Sequence, residues 1–186
     1  GVHASLFLFF LGYLITPEFF RTVAHQEGKP ADPAALVANL NDRFCSEDSD
    51  EYFTMFCGVI DTSNGTLSYC QAAYPSPYYI DRTGGVYTVG DGGFPVGMLP
   101  GIPYENNTIT IESGGALVVC SDAVSEAANE NNTPFGMDRL QQVVALLPEV
   151  GTRNIPDKIV QSLTDWSGGN TLADDLTVVA LERNQE

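Results

Sequence analysis

The sequence predicts an α+β domain in which helices cover antiparallel sheet, and three observations predict it. Apolar residues recur at helical spacing near both ends of the chain, short β-rich runs divided by Gly-rich turns fill the middle, and strands and helices are segregated. Segregation of that kind argues against a parallel, doubly wound nucleotide-binding fold. With 186 residues, 44% hydrophobic and 10% aromatic, the chain is long enough for one domain with a substantial core and too apolar to stay disordered.

The first stretch, residues 4–24, is helix-compatible, with Phe7, Phe10, Leu11 and Leu14 at helical spacing; Pro17 either kinks this helix or starts a second one. The apolar run 2–15 has no basic region before it and no small-residue cleavage site, and it is shorter than a bilayer span. It therefore reads as a helix buried in a core. Residues 25–33 form a polar loop ending in Asp32-Pro33, an N-cap followed by a first-turn proline. Leu36, Val37, Leu40 and Phe44 then mark the apolar face of a helix ending near Phe44, and the acidic run 47–51 reads as a solvated loop.

The period changes after Tyr52. Two β-rich runs, 52–60 and 66–72, flank Asp61-Thr62-Ser63-Asn64-Gly65, whose Asn-Gly pair suits the positive φ angles of a hairpin turn. Further strands are expected at 78–81, 86–89, 107–112 and 116–121, joined by turns at Thr83-Gly84-Gly85 and Ser113-Gly114-Gly115. Helical spacing returns at 137–147, where Leu140, Val143, Val144 and Leu147 share a face, and again at 156–166; a last strand is expected at 176–182.

The 24 acidic and 8 basic side chains leave a formal charge of −16, which disfavours nucleic acid and anionic membranes and suits divalent cations or basic partner faces. Cys45, Cys57, Cys70 and Cys120 form no CxxC pair, and three of them lie in strand-like apolar runs. Buried thiols in a reducing, cytoplasmic compartment are expected, not zinc ligands. His3 and His25 are too few for a His-based metal cluster, and no Ser-His-Asp triad is readable. The pairs Gly84-Gly85, Gly92-Gly93 and Gly114-Gly115 lack the strand-to-helix setting of phosphate loops and read as turns, and the aromatic stretch 74–79 reads as packing.

Two acidic positions adjoin strand ends: Asp122, after Leu117-Val118-Val119-Cys120, and Asp174-Asp175, before Leu176-Thr177-Val178-Val179. Carboxylates held at strand ends can converge on a site for hard cations such as Mg²⁺ or Mn²⁺. On spacing alone, an Asp-Asp pair before a strand is more often a solvated turn or cap than a ligand pair.

Several segments, taken in order, raise that reading. Gly1-Val2-His3-Ala4-Ser5-Leu6 is similar to the end of an Asp-x-Ser-Gly-His-Gly segment entering a long helix. Phe56 to Asp61 with Gly65-Thr66-Leu67-Ser68-Tyr69 is similar to a characteristic hairpin, and Ala72-Ala73-Tyr74-Pro75-Ser76-Pro77 to an Ala-Gly-His-x-Pro turn. Phe94-Pro95-Val96-Gly97-Met98 is similar to a Leu-Pro-Leu-Gly element. Val119-Cys120-Ser121-Asp122-Ala123-Val124-Ser125-Glu126-Ala127 resembles Tyr-Thr-Asp-Gly-Val-Thr-Glu-Ala, and Ala173-Asp174-Asp175-Leu176-Thr177 a closing Asp-Asp-x-Thr motif. Over nearly the whole chain this order resembles the sporulation stage II E-type phosphatases, the bacterial branch of the metal-dependent (PPM, type 2C) serine/threonine protein phosphatases.

The resemblance implies an antiparallel β-sandwich flanked by helices, and hydrolysis of phosphoserine or phosphothreonine by a water activated on two Mn²⁺ or Mg²⁺ ions, with no covalent phosphoenzyme. It places Asp122 and Asp174 at metal-ligand positions, offers the Gly1 carbonyl as a further ligand, and gives Asp175 the role of orienting the site from behind the ligands. The implied substrate is a phosphorylated regulatory protein of a sigma-factor control system, and an upstream sensory or receiver domain is implied with it.

Departures from the family pattern add further expectations. The chain starts after the point where the aspartate of the Asp-x-Ser-Gly-His-Gly segment is expected, and the earlier strand bearing another acidic ligand is absent. Residues 1–186 are thus expected to form a single phosphatase-type domain without its N-terminal strands, which leaves a sheet edge or an apolar face uncovered. The alternative is a degenerate domain that binds a protein partner without hydrolysis. Tyr74 stands where the family usually has histidine, and Ala123 where it has glycine, a substitution that would crowd a turn of positive φ.

Overall fold

The computed structural model describes residues 15–25, 28–45, 51–146, 154–169 and 172–184. Along the chain these form α1 (Pro17–Val23), α2 (Pro33–Phe44), β1 (Met55–Asp61), β2 (Thr66–Ala72), β3 (Tyr78–Ile80), β4 (Val86–Thr88), β5 (Asn107–Thr110), β6 (Ala116–Cys120), α3 (Ala123–Glu126), α4 (Gly136–Leu146), α5 (Ile155–Ser167) and β7 (Val178–Glu182). The strands assemble into a three-stranded sheet of order β1-β2-β5 and a four-stranded sheet of order β4-β3-β6-β7. The mixed helix and antiparallel-sheet class expected from the sequence is therefore the observed one.

Contacts divide the chain into two compact units. The first comprises Gly1–Ile60, Leu67–Ala72 and Gly93–Thr108. Here Pro17 opens α1 instead of kinking a longer helix: Thr16 is the N-cap, and its hydroxyl accepts from the Phe19 amide at 3.1 Å. The expected helix over residues 4–14 lies outside the described residues. Asp32 caps α2 as its sequence predicts, accepting from the Ala35 amide at 3.0 Å, while Asn106 Oδ1 takes the Ala34 amide at 2.8 Å. Leu36, Val37 and Leu40 are fully buried and pack with Ala24, Cys57, Cys70, Ala72 and Val96. One buried polar side chain sits among them. Asn41 accepts from the Gly97 amide at 2.8 Å and donates to the Leu99 carbonyl at 3.0 Å, with the Tyr104 hydroxyl 3.2 Å away.

The second unit comprises Asp61–Thr66, Ala73–Gly92 and Ile109–Glu186. Its sheet pairs Tyr78 with Val118 across β3 and β6, and Cys120 with Val178 across β6 and β7, both antiparallel. One face packs under α4 and α5 through Tyr78, Ile80, Val118, Leu140, Val144, Ile155, Ile159 and Leu163. Val179, on the edge strand β7, is 52% exposed, and Leu181 beside it is exposed too. The hairpin turn belongs to this unit: Asp61 accepts from the Ser63 amide and hydroxyl and from the Asn64 side-chain amide, and Gly65 has φ +78°. Arg183 donates to the carbonyls of Asn64 and Ile111, tying the turn to the end of β7.

Several boundaries differ from the sequence reading, each for a local reason. The strand expected at 107–112 stops at Thr110 because the Ile111 amide turns to the Gly65 carbonyl and the Glu112 amide to the Tyr79 hydroxyl. The strand expected at 52–60 begins at Met55, with Phe53 making only an isolated bridge to Val96. Ala123 is the first residue of α3, and the described non-glycine residues of positive φ are Ala73 and Asn132, so the crowding expected at Ala123 does not arise.

Candidate functional site

The two strands that carry the candidate ligands are neighbours. The β6–β7 ladder ends with Cys120 opposite Val178, so Asp122 and the Asp174-Asp175 pair leave the sheet at the same end. Beyond the ladder Ser121 continues the connection. Its amide donates to the Thr177 carbonyl at 2.9 Å, its Oγ accepts from the Thr177 amide at 3.0 Å, and its hydroxyl reaches the Asp175 carbonyl at 3.3 Å. A serine side chain standing in for a ladder carbonyl is why β7 begins at Val178 and not at the expected Leu176.

Asp122 is the N-cap of α3. Its Oδ1 accepts from the Ala123 amide at 3.0 Å, and its carbonyl accepts from the Glu126 amide and the Ser125 hydroxyl, each at 3.0 Å. Asp174 turns its Oδ1 onto the Asp175 amide at 2.7 Å. The side chains of Asp122, Asp174 and Asp175 are all exposed. Beside them lies a cavity of about 200 Å³ lined by Ala123, Glu126, Ala127, Ala128, Asn129, Asn132, Ala173 and Asp174. Glu126 and the two asparagines are lining residues that sequence reasoning missed. Glu126 falls within the motif that singles out Asp122, one helical turn after it, a signal that could have marked it.

Tyr74 lies in the segment between β2 and β3. It is half-buried, and burial, then the Cys120 thiol, then the Asp122 carboxylate raise its pKa, so the phenol lies within electrostatic reach of Asp122. Burial pushes Cys120 itself up to about 12, the mark of a packed thiol and not of a nucleophile. Cys57 is likewise held at about 12 by burial and by neighbouring Cys70, and all four cysteines are free.

Exposed carboxylate oxygens at the ends of hydrogen-bonded strands suit a hard divalent cation. Among the described residues no group of three or more His, Cys, Asp or Glu side chains forms a ligand cluster. Gly1 and His3 lie outside the described residues.

The pattern of the family described as Stage II sporulation protein E (SpoIIE) matches residues 11–184. The chain belongs to the SpoIIE family. Among relatives, it is 32% identical over 150 residues to Protein IcfG of Synechocystis sp. (strain ATCC 27184 / PCC 6803 / Kazusa), covering 80% of this chain and 24% of that protein. It is 25% identical over 157 residues to Phosphoserine phosphatase RsbU of Bacillus subtilis (strain 168), covering 81% of this chain and 45% of RsbU. The chain thus spans less than half the length of either relative. Among solved structures, the PP2C phosphatase domain of the cell fate determinant SpoIIE from Bacillus subtilis superposes with a TM-score of 0.72 at 17% identity, covering 91% of this chain and 49% of that one. That likeness establishes the PP2C-type fold. No described helix is long and apolar enough to cross a membrane.

Proposed function

We propose that this SpoIIE-family chain belongs to a metal-dependent phosphatase that hydrolyses phosphoserine or phosphothreonine on a bacterial regulatory protein of the sigma-factor control type. The observation that carries the reading is the shared exit of Asp122 and Asp174 at one end of the β6–β7 ladder, held together by Ser121 and Thr177. The phosphatase named among the relatives and the phosphatase domain sharing the fold supply the reaction class.

In this reading Asp122 and Asp174 hold Mn²⁺ or Mg²⁺, the Gly1 carbonyl adds a ligand, and two ions are bound. Bound there, the ions supply Lewis-acid activation of water and neutralise the phosphate charge. The chain's own part is rigidity. Asp122 is fixed by the α3 cap and Asp174 by the Asp175 amide, so neither carboxylate needs to reorganise as charge develops on the phosphoryl group. Water adds to phosphorus, the bond to the serine or threonine oxygen breaks, and the products are the free hydroxyl side chain and inorganic phosphate. An upstream sensory or receiver domain and a reducing, cytoplasmic setting complete the proposal; four free cysteines support the latter.

The test is Mn²⁺-dependent release of phosphate from a phosphoserine peptide by the full-length protein. Asp122→Asn and Asp174→Asn should each lower kcat/KM at least a hundredfold; asparagine retains the capping oxygen at position 122, so folding stability should stay within about 0.5 kcal/mol. Undiminished hydrolysis in both variants would overturn the ligand assignment. A full-length wild type that binds the phosphoprotein without releasing phosphate would favour the non-catalytic binding module instead.

A further inference from the structure

The cavity beside Asp174 is lined entirely by residues of the second unit. Ala123, Ala127, Ala128 and Ala173 all end at Cβ, and their short side chains leave about 200 Å³ open. The loop that closes the cavity is pinned by its own hydrogen bonds. Ala128 bridges Pro134, the Phe135 amide donates to the Ala127 carbonyl at 2.7 Å, and Asn129 Oδ1 accepts from the amides of Asn131 and Thr133, each at 3.0 Å. A preformed cavity of this kind costs little further ordering when it is filled.

Its charge is one-sided. Glu126 and Asp174 both line it, and among the described residues neither carboxylate is ion-paired. Asp174 places one oxygen on the Asp175 amide, whereas the Glu126 side chain has no hydrogen-bond partner among the described residues. With Asp174 taken up by a metal ion, Glu126 is the carboxylate left to the cavity. An ionised carboxylate only accepts, and a charged donor satisfies it better than a neutral one. An apolar side chain fills the same volume without pairing Glu126, and an acidic one is repelled.

The position of the cavity says where such a donor comes from. Asp174 belongs both to the cavity and to the proposed metal pair, and Glu126 follows the N-cap Asp122 by one turn of α3, about 6 Å along the axis. An extended peptide advances about 3.3 Å per residue. A peptide whose phosphoserine sits at Asp122 and Asp174 therefore brings one of its next few side chains to Glu126.

We propose that this cavity is a substrate-selecting pocket, in which Glu126 pairs with a lysine or arginine side chain lying within about three residues of the phosphoserine. The assignment rests on the phosphatase reading above and deepens it by giving the chemistry of the sequence around the phosphoserine.

The experiment compares full-length wild type, Glu126→Gln and Glu126→Lys, each loaded with Mn²⁺, on phosphoserine peptides carrying lysine, arginine, norleucine or glutamate at each flanking position in turn. The readout is the ratio of kcat/KM between peptides for one protein, which cancels any general loss of activity. At one flanking position the wild type should favour lysine or arginine over norleucine about fivefold, less as salt is raised. Glu126→Gln should bring that ratio within twofold of unity, and Glu126→Lys should turn the preference towards glutamate. A wild type without a basic preference at any position would overturn the assignment, as would an undiminished preference in Glu126→Gln. A fall in Mn²⁺ affinity that accompanies Glu126→Gln would also overturn it, because Glu126 would then act through the metal. A wild type that takes up Mn²⁺ and hydrolyses none of the peptides overturns the hydrolytic reading by itself. The same ratios, measured as peptide dissociation constants by calorimetry, then decide the pocket, and equal affinities for the lysine and norleucine peptides would overturn it.

Discussion

Ser121 and Thr177 exchange two hydrogen bonds, one through the Ser121 amide at 2.9 Å and one through its side-chain oxygen at 3.0 Å. The second replaces a ladder bond with a side-chain bond at the point where both acidic loops leave the sheet. Ser121→Ala removes the acceptor of the Thr177 amide, and a loss of about 1 kcal/mol in urea unfolding is expected. Mn²⁺-dependent activity should fall further than stability does, because the loops bearing Asp122 and Asp174 lose their shared tie; equal activity at reduced stability would detach this bond from the site.

Asn41 is a polar side chain 1% exposed within an apolar cluster, and its oxygen is the partner of the Gly97 amide. Asn41→Ala strands that buried N–H and the Leu99 carbonyl, and about 2 kcal/mol should be lost. Asn39, on the same helix, accepts only from exposed Arg43 at 2.9 Å. Asn39→Ala should therefore cost less than about 0.5 kcal/mol by the same urea titration.

The Asp81 carboxylate is held down to about 2 by the Thr83 hydroxyl first and then by the Gly85 and Thr83 amides. Its folded pKa lies below the ordinary aspartate value of about 3.9, so the stabilisation is complete above that value and is lost as pH falls through about 2. Between pH 4 and pH 2 the urea midpoint of the wild type should drop more steeply than that of Asp81→Asn, which does not titrate there. Parallel curves for the two proteins would show that the turn contributes no acid sensitivity.

Buried thiols held near pH 12 should be inert in the folded protein. Iodoacetamide at pH 8 should modify partly exposed Cys45 and spare Cys57, Cys70 and Cys120 until denaturant is added. Peptide mass spectrometry reads the four positions separately, and rapid native alkylation of Cys120 would contradict its packing.

Much of the fold was legible because local signals agreed. Asp32-Pro33 capped a helix whose apolar face proved buried, and Asn64-Gly65 turned a hairpin. Features made by distant residues were not. The helix after Asp122 has four residues, too few to show a period, and β5 stops where amides find partners at Gly65 and Tyr79. At the site, motif order singled out Asp122 and Asp174, and strand register then put them at one sheet end. The cavity wall of Asn129 and Asn132 has no such signature, because a loop's side chains converge only once the sheet sets its ends. In the sequence the aromatic stretch 74–79 reads as packing. That describes buried Tyr78 and Tyr79, while Tyr74 is only half-buried.

Arg183 donates to the carbonyl of Asn64 across 119 positions of sequence. On a ribosome the hairpin tip emerges long before its arginine does, so the turn must wait until β7 and Arg183 have been synthesised before its backbone is fully satisfied. Chains interrupted before residue 183 would leave the Asn64 carbonyl without this partner. Closure of the hairpin turn is thereby coupled to the synthesis of β7, by which point both hairpin strands and β6 have already been made.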